Sequence, residues 1–205
     1  LSLKIIDNDA DKKDWLCQIR KSVDWEPFSD LGFLQIISNN IKLIEFNKGE
    51  KIIGRIALAE NNFGLISVPE FTPYTTLILS AEMNNSSISK REKLRFLCFE
   101  KLAGFLSELK NFESLAFNPS HIDLRPFLWF NYHEKDKYKF DVLPRYTARV
   151  FFENYTKDLL YKNLSKGRKS DLKKSRGLKI AIQNKFDEIF DIYERTFSRQ
   201  NILIN

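Results

Sequence analysis

Cysteine is scarce in this chain, and long apolar runs and phosphate-cradling glycine motifs are missing altogether. The two cysteines, Cys17 and Cys98, stand 81 positions apart and no CxxC spacing exists, which argues against a thiolate zinc site. Both are expected to be small buried hydrophobes in a reducing cytosol, so the predicted location is cytoplasmic. His121 and His133 share no metal-ligand spacing, and no metal is expected. The longest apolar stretches, such as Thr75-Thr76-Leu77-Ile78-Leu79, have strand length, far short of the ~20 residues of a membrane span. GxxxxGK[ST] and GxGxxG are both absent, which excludes a P-loop and a dinucleotide fingerprint. Ser120, His121 and Asp123 are close in sequence without a nucleophile elbow, so no serine triad is read there. The carboxylates show no paired pattern of glycosidase type. The chain opens on Leu1 rather than Met and closes on Ile202-Leu203-Ile204-Asn205; a piece of a longer protein is the expectation, and no secretory signal pattern is visible.

What is present is the composition of a folded protein. The 205 residues are 43% hydrophobic and 29% charged, a globular balance. A chain of this size buries roughly 70% of its unfolded surface without disulfides or metals. Eighteen Phe, seven Tyr and three Trp favour a packed α/β core. The net charge is +6, and its distribution is uneven. Residues 157–179 hold nine basic and two acidic residues, a net +7, so the other 182 residues carry −1. One segment therefore concentrates the attraction for an anionic partner.

The patterning alternates between strands and helices. Leu3–Ile6 reads as a strand and Asp11–Val23 as a helix. Asp24-Trp25-Glu26-Pro27-Phe28-Ser29-Asp30 is a break before a short helix over Leu31–Ile37. Ile41–Phe46 and Lys51–Ala59 flank Asn47-Lys48-Gly49-Glu50 as a hairpin. Gly64–Val68, Tyr74–Leu79 and Glu113–Phe117 are further strands. Ser89 and Glu92 form a capping box, after which Leu94, Leu97, Cys98, Leu102, Phe105, Leu106 and Leu109 share one helical face. Asp123 is expected to cap a helix beginning near Leu124, with Phe127 and Trp129 buried. Strands over Arg145–Phe152 and Lys179–Gln183 flank a helical stretch over Tyr155–Arg176, broken near Gly167 and ended by Gly177. Phe186, Ile189, Phe190, Tyr193 and Phe197 form a last amphipathic face. The fold class is α/β or α+β with mixed sheets flanked by helices.

Two constellations carry chemistry. In the first, Asn118 to Tyr132, Asp123 can accept from backbone amides, Arg125 can pair with a carboxylate, and Phe127 and Trp129 offer large apolar faces. It is either a structural wedge or the lining of a substrate cleft, with Arg125 and Trp129 as the candidate contacts. In the second, Leu164 to Leu178, Leu164 and Leu172 anchor one face while Lys166, Arg168, Lys169, Lys173, Lys174 and Arg176 occupy the others. The charge concentration points to phosphate or another anion as its ligand.

At these segments the sequence resembles the Fem-like branch of the GNAT acyltransferases, which includes peptidoglycan-bridge aminoacyltransferases and BioF2-like acetyltransferase domains. Pro119 to Tyr132 is similar to its P-x-x-x-D-x-R-P-F-x-W segment. Tyr146-Thr147 followed by Lys157-Asp158-Leu159 resembles its Y-T-x-x-x-D-L region. Leu164 to Leu178 resembles its L-s-k-x-x-R-x-x-l-K-K-A-x-x-x-G helix, with Ser175 where Ala is usual, and Phe197-Ser198-Arg199-Gln200 its F-x-R-Q end. Leu65 to Leu79 fits the family's proline loop more loosely. The resemblance implies tandem GNAT-like units, an N-terminal domain over 1–140 and the incomplete start of a second over 141–205. Lys135-Asp136-Lys137 would supply a polar junction. It implies an N-acyltransferase that moves an acyl or aminoacyl group from acyl-CoA or aminoacyl-tRNA to an amine of a phosphate-bearing or cell-envelope acceptor. Arg168 is the positional match for the residue that holds the acceptor's pyrophosphate, with Lys169 and Lys173 beside it. The family's R/Q-x-x-G-x-G/A loop for acyl-CoA is absent; in the family it would lie beyond Asn205, and this chain alone is expected to be inactive. No catalytic base is legible. The competing class is a noncatalytic anion- or nucleic-acid-binding domain that uses residues 157–179, whose phosphate contacts would be salt-dependent.

Overall fold

The computed structural model describes residues 1–6, 9–38, 40–69, 72–146, 156–179 and 185–199. The chain divides into two compact units, Leu1–Thr147 and Ala148–Asn205.

The first unit is α/β. Strand β1 (Ser2–Ile6), β2 (Ile41–Lys48), β3 (Lys51–Ala59) and β4 (Ile78–Leu79) form a sheet in that order, each pair antiparallel. The predicted hairpin is present, and its turn places Gly49 at a φ of 61°, a conformation glycine adopts without a Cβ clash. The register slips by one residue between Phe46 and Asn47, leaving Phe46 opposite Gly54 and Asn47 opposite Ile52. Beyond this antiparallel core, isolated parallel bridges join Ile66 to Phe112 and Thr75 to Phe117. The runs predicted as strands at 64–68, 74–79 and 113–117 are thus mostly extended chain touching at single residues. Only Ile78–Leu79 pairs as a strand with β3.

Both faces of the sheet are covered, which is why β2 and β3 are buried at successive positions rather than alternating. Helix α3 (Ile88–Glu108) lies on one face, where Leu94, Cys98, Phe99, Leu102, Ala103 and Leu106 pack with Ile44, Phe46, Ile56, Leu58 and Leu79. Each Leu, Ile or Phe among them contributes roughly 1.5–3 kcal/mol by leaving water. The helix comes close to the sheet at Gly54, where a Cβ would stand 3.3 Å from Cys98 Sγ. Helices α1 (Asp9–Ile19) and α2 (Leu31–Ile37) serve the other face, with Trp15, Ile19, Leu31 and Leu34 against Leu43, Ala57 and Ile78. On that face the cross-strand partners Glu45 and Arg55 form a buried ion pair of 2.8 Å.

Local chemistry shifts several boundaries. Helix α3 starts two residues before the predicted box because Ser87, not Ser89, is the cap, accepting from the Lys90 amide at 3.3 Å; Glu92 pairs with Arg95 instead. Asp30 caps α2 by accepting from Gly32 N at 3.0 Å. Cys98 is buried, with its thiol pushed up to about 12 by desolvation, whereas Cys17 is exposed, contrary to expectation.

Among the described residues of the second unit are α5 (Lys157–Asn163), α6 (Lys166–Lys174) and α7 (Phe186–Ser198). The strands predicted at 145–152 and 179–183, and Gln200 of the F-x-R-Q motif, fall wholly or largely outside the described residues. The stripe of α7 forms as predicted, and Phe186, Ile189 and Phe190 on it are exposed.

Candidate functional site

The basic segment is organised by two hydroxyl caps. Thr156 Oγ1 accepts from Leu159 N at 3.3 Å to open α5, and Ser165 Oγ accepts from Arg168 N at 3.4 Å to open α6. An N-cap residue is extended, so the chain bends at Leu164–Ser165. The break expected near Gly167 therefore lies earlier, and Gly167 sits inside the first turn of α6. Leu172 is exposed rather than an anchor.

The three candidate cations on α6 differ in how far they are committed. The Arg168 side chain is 76% exposed and lies 3.6 Å from Asp171 Oδ2, a surface pair of the kind that contributes ~0–1 kcal/mol. Lys169 is more engaged: its Nζ donates to Lys162 O at 2.9 Å and lies 5.7 Å above the Tyr161 ring. That ties α6 to the last turn of α5, where a cation is favoured by the free carbonyls. Lys173 is exposed in the last turn of α6.

The other two candidates stand together in the first unit. Helix α4 (Arg125–Leu128) is one turn long. Asp123 lies just before it: Oδ1 accepts from Arg125 N at 3.3 Å and from Arg125 Nε at 2.7 Å, and Oδ2 from Nη2 at 2.5 Å. These hydrogen bonds hold the Asp123 carboxyl below its ordinary range. Asp123 is therefore not the helix cap that was expected: α4 begins at Arg125 with Leu124 as its N-cap and no side-chain cap bond, and Asp123, one residue earlier, bonds the Arg125 amide and guanidinium instead. The Arg125 guanidinium lies 5.2 Å from the Trp129 ring and 5.4 Å from the Phe96 ring, distances at which a cation is drawn to an aromatic face. Trp129 is 57% exposed while Phe127 is buried. The expectation that both rings are buried fails for a simple reason: residues two apart on a helix point about 200° apart, so one layer cannot cover both. Arg125 and Trp129 belong to the first unit, and Arg168, Lys169 and Lys173 to the second.

A polar seam that sequence reading missed lines the free edge of β4. Leu79 N donates to Asp24 Oδ2 at 3.3 Å, and Leu77 N donates to His121 Nε2 at 2.9 Å. Thr76 Oγ1 donates to Glu26, whose other oxygen accepts from Asn118 Nδ2 at 2.9 Å. Arg91 and Arg95 both reach Asp24 Oδ1, Arg95 Nη2 at 2.7 Å. These side chains supply acceptors that a further strand would otherwise provide, and so terminate this edge of the sheet. Because Nε2 accepts, neutral His121 carries its proton on Nδ1, and that atom is buried without a partner. Burial, with help from the nearby Arg95 charge, lowers His121 to about 3. The stretch 24–26 read only as a helix break; its two carboxylates were the available signal.

Among the described residues, no group of three or more His, Cys, Asp or Glu is placed to hold a metal ion, and no helix is long and apolar enough to cross a membrane.

The chain thus combines a helix-covered α/β unit with a solvent-facing basic helix pair. No protein-family model matches the sequence, and no curated protein matches it significantly. Among solved structures, a similarity is found to the apo aminoglycoside antibiotic 6'-N-acetyltransferase AAC(6')-IG from Acinetobacter haemolyticus, at 14% identity and a TM-score of 0.29. It spans 74% of this chain and 100% of that one. Likeness at that level is too slight to transfer fold detail or chemistry.

Proposed function

We propose that this chain serves N-acyl transfer of the Fem-like GNAT type, in which an amine of a phosphate-bearing acceptor takes an acyl or aminoacyl group from acyl-CoA or aminoacyl-tRNA. The acceptor nitrogen attacks the carbonyl carbon of the thioester or ester. A C–N bond forms, the C–S or C–O bond breaks, and the amine proton is lost as the thiol or alcohol departs. Such a reaction gains much of its rate from holding two substrates in register, so residues that grip an acceptor's phosphates matter as much as proton carriers. Arg168 is assigned that grip. Lys173 adds general attraction, and Lys169 mainly braces α6 on α5. Arg125 and Trp129 present a flat cationic and aromatic surface suited to stacking against a substrate.

The observation that supports this reading most is the exposed Arg168 guanidinium in the segment holding all of the chain's excess charge. A planar fork of donors grips phosphate oxygens in pairs. The test is transfer of label from acetyl-CoA or from aminoacyl-tRNA to amines bearing a pyrophosphate, carried out with the full-length protein because this chain by itself lacks the R/Q-x-x-G-x-G/A loop for acyl-CoA. Amide product that depends on the protein, with a raised acceptor KM in Arg168→Ala and an unchanged donor KM, is the expected result. No product from either donor class would refute the enzymatic reading and leave phosphate binding alone.

A further inference from the structure

We propose that a small cavity between α1, the 3₁₀ turn Pro27–Ser29 and β3 is a binding site for one permanently held water molecule. Trp15, Ser29, Leu34, Ala57, Thr72 and Thr76 are among its walls, and its volume is about 10 Å³. That matches the ~10–15 Å³ that a single water needs and leaves no room for a larger ligand.

The polar atoms of the walls specify the ligand's chemistry. Trp15 is buried, and its Nε1–H has no hydrogen-bond partner; the same holds for the buried Ser29 Oγ. Two orphaned polar atoms on side chains that line one small cavity are costly if it is dry and can both be satisfied if it is wet. The indole N–H only donates, so the ligand must accept a hydrogen bond, which excludes a cation. No charged side chain lines the cavity, which excludes an anion. The ligand also finds a place to donate: Thr72 Oγ1 spends its own proton on Pro69 O at 2.7 Å and keeps its lone pairs. Thr76 likewise gives its proton to Glu26. A neutral molecule that accepts from Trp15 and donates to Ser29 or Thr72 is water. Bound there, it links α1 to the 27–29 turn, and through Glu26 beside that turn to the seam that closes the edge of β4.

The test is a water-to-indole nuclear Overhauser measurement on the whole chain labelled with ¹⁵N at tryptophan. Three indole N–H signals are present, and Trp25→Phe and Trp129→Phe identify that of Trp15. The expected result is a direct cross-peak from Trp15 Nε1–H to water, with the sign of a water that tumbles with the protein. Ser29→Ala should keep the cross-peak, because the space remains and the relay through a hydroxyl proton is gone. Ala57→Val should abolish the cross-peak and lower Tm by about 2–4 °C, the shift of one lost hydrogen bond in a chain of this size. A wild-type protein with no water cross-peak overturns the proposal. So does loss of the cross-peak in Ser29→Ala, or a Tm that holds or rises in Ala57→Val.

Discussion

Acidification from pH 7 to pH 5 should unfold this protein more readily through one residue, His121. The side chain is only 4% exposed, its Nε2 accepts from Leu77 N, and its ring lies edge-on to Phe99 at 5.7 Å. Burial first, and the charge of Arg95 second, lower its pKa from 6.5 to about 3. In the folded state it therefore stays neutral throughout this window, while in the unfolded chain it protonates below about 6.5. The unfolded state binds more protons, so stability falls as pH falls, by up to about 1.4 kcal/mol per pH unit. Between pH 7 and pH 5 the loss amounts to about 2 kcal/mol, and it continues until the pH reaches the folded value near 3. Glu60 and Asp123, whose folded values are lowered, add their own losses only below their ordinary values of 4.5 and 3.8. The window from 7 to 5 thus isolates the histidine. The assay is urea unfolding at both pH values, extrapolated linearly to water, on the wild type and on His121→Gln. Glutamine keeps an acceptor for Leu77 N without a titratable ring. The wild type should lose about 2 kcal/mol and the variant almost none. Parallel losses in the two proteins would refute the placement of His121 as a buried neutral acceptor.

Truncating one partner of the Glu45–Arg55 pair should be severe. Arg55→Met leaves the Glu45 carboxylate buried and unpaired, for a loss of about 3–5 kcal/mol in urea unfolding, whereas Glu45→Leu with Arg55→Met should recover most of it. A single variant as stable as the wild type would contradict the burial of the pair. Ser87→Ala should destabilise by about 1 kcal/mol and Ser89→Ala by almost nothing, because only Ser87 caps α3. The reverse ranking would restore the capping box read from the sequence.

Much of the first unit was legible because short-range patterning fixed it. The hairpin around Gly49, α2 after Asp30 and the apolar face of α3 follow from periodicity and turn chemistry, and each is present. The strands at 64–68 and 113–117 were less legible. Ile66 is buried and Leu65, Val68, Leu115 and Phe117 are half-buried, with pairing limited to single bridges at Ile66, Phe112 and Phe117. Apolar content signals burial and says little about ladder formation. The seam at β4 was illegible for a different reason. Asp24, Glu26, Arg91, Arg95, Asn118 and His121 are far apart in the chain, and only the fold brings their polar atoms to one edge. At α6 the charge was plain from composition. The unequal commitment of Arg168 and Lys169 was not, since it depends on where α5 ends and leaves Lys162 O for Lys169 to reach.

The central claim is that Arg168 is a specific phosphate grip and not one cation among nine. Calorimetric titration of inorganic pyrophosphate into the wild type, Arg168→Ala, Arg168→Lys and Lys179→Ala, repeated across a salt series, tests it most directly. Loss of a charge-assisted pair of hydrogen bonds, about 1.5–3 kcal/mol, corresponds to roughly 10- to 100-fold in Kd. Arg168→Ala should weaken binding by that factor, Arg168→Lys should recover only part, and Lys179→Ala should change Kd by less than about twofold. Equal, small effects from all three that vanish together with added salt would contradict the assignment and make residues 157–179 a diffuse basic surface.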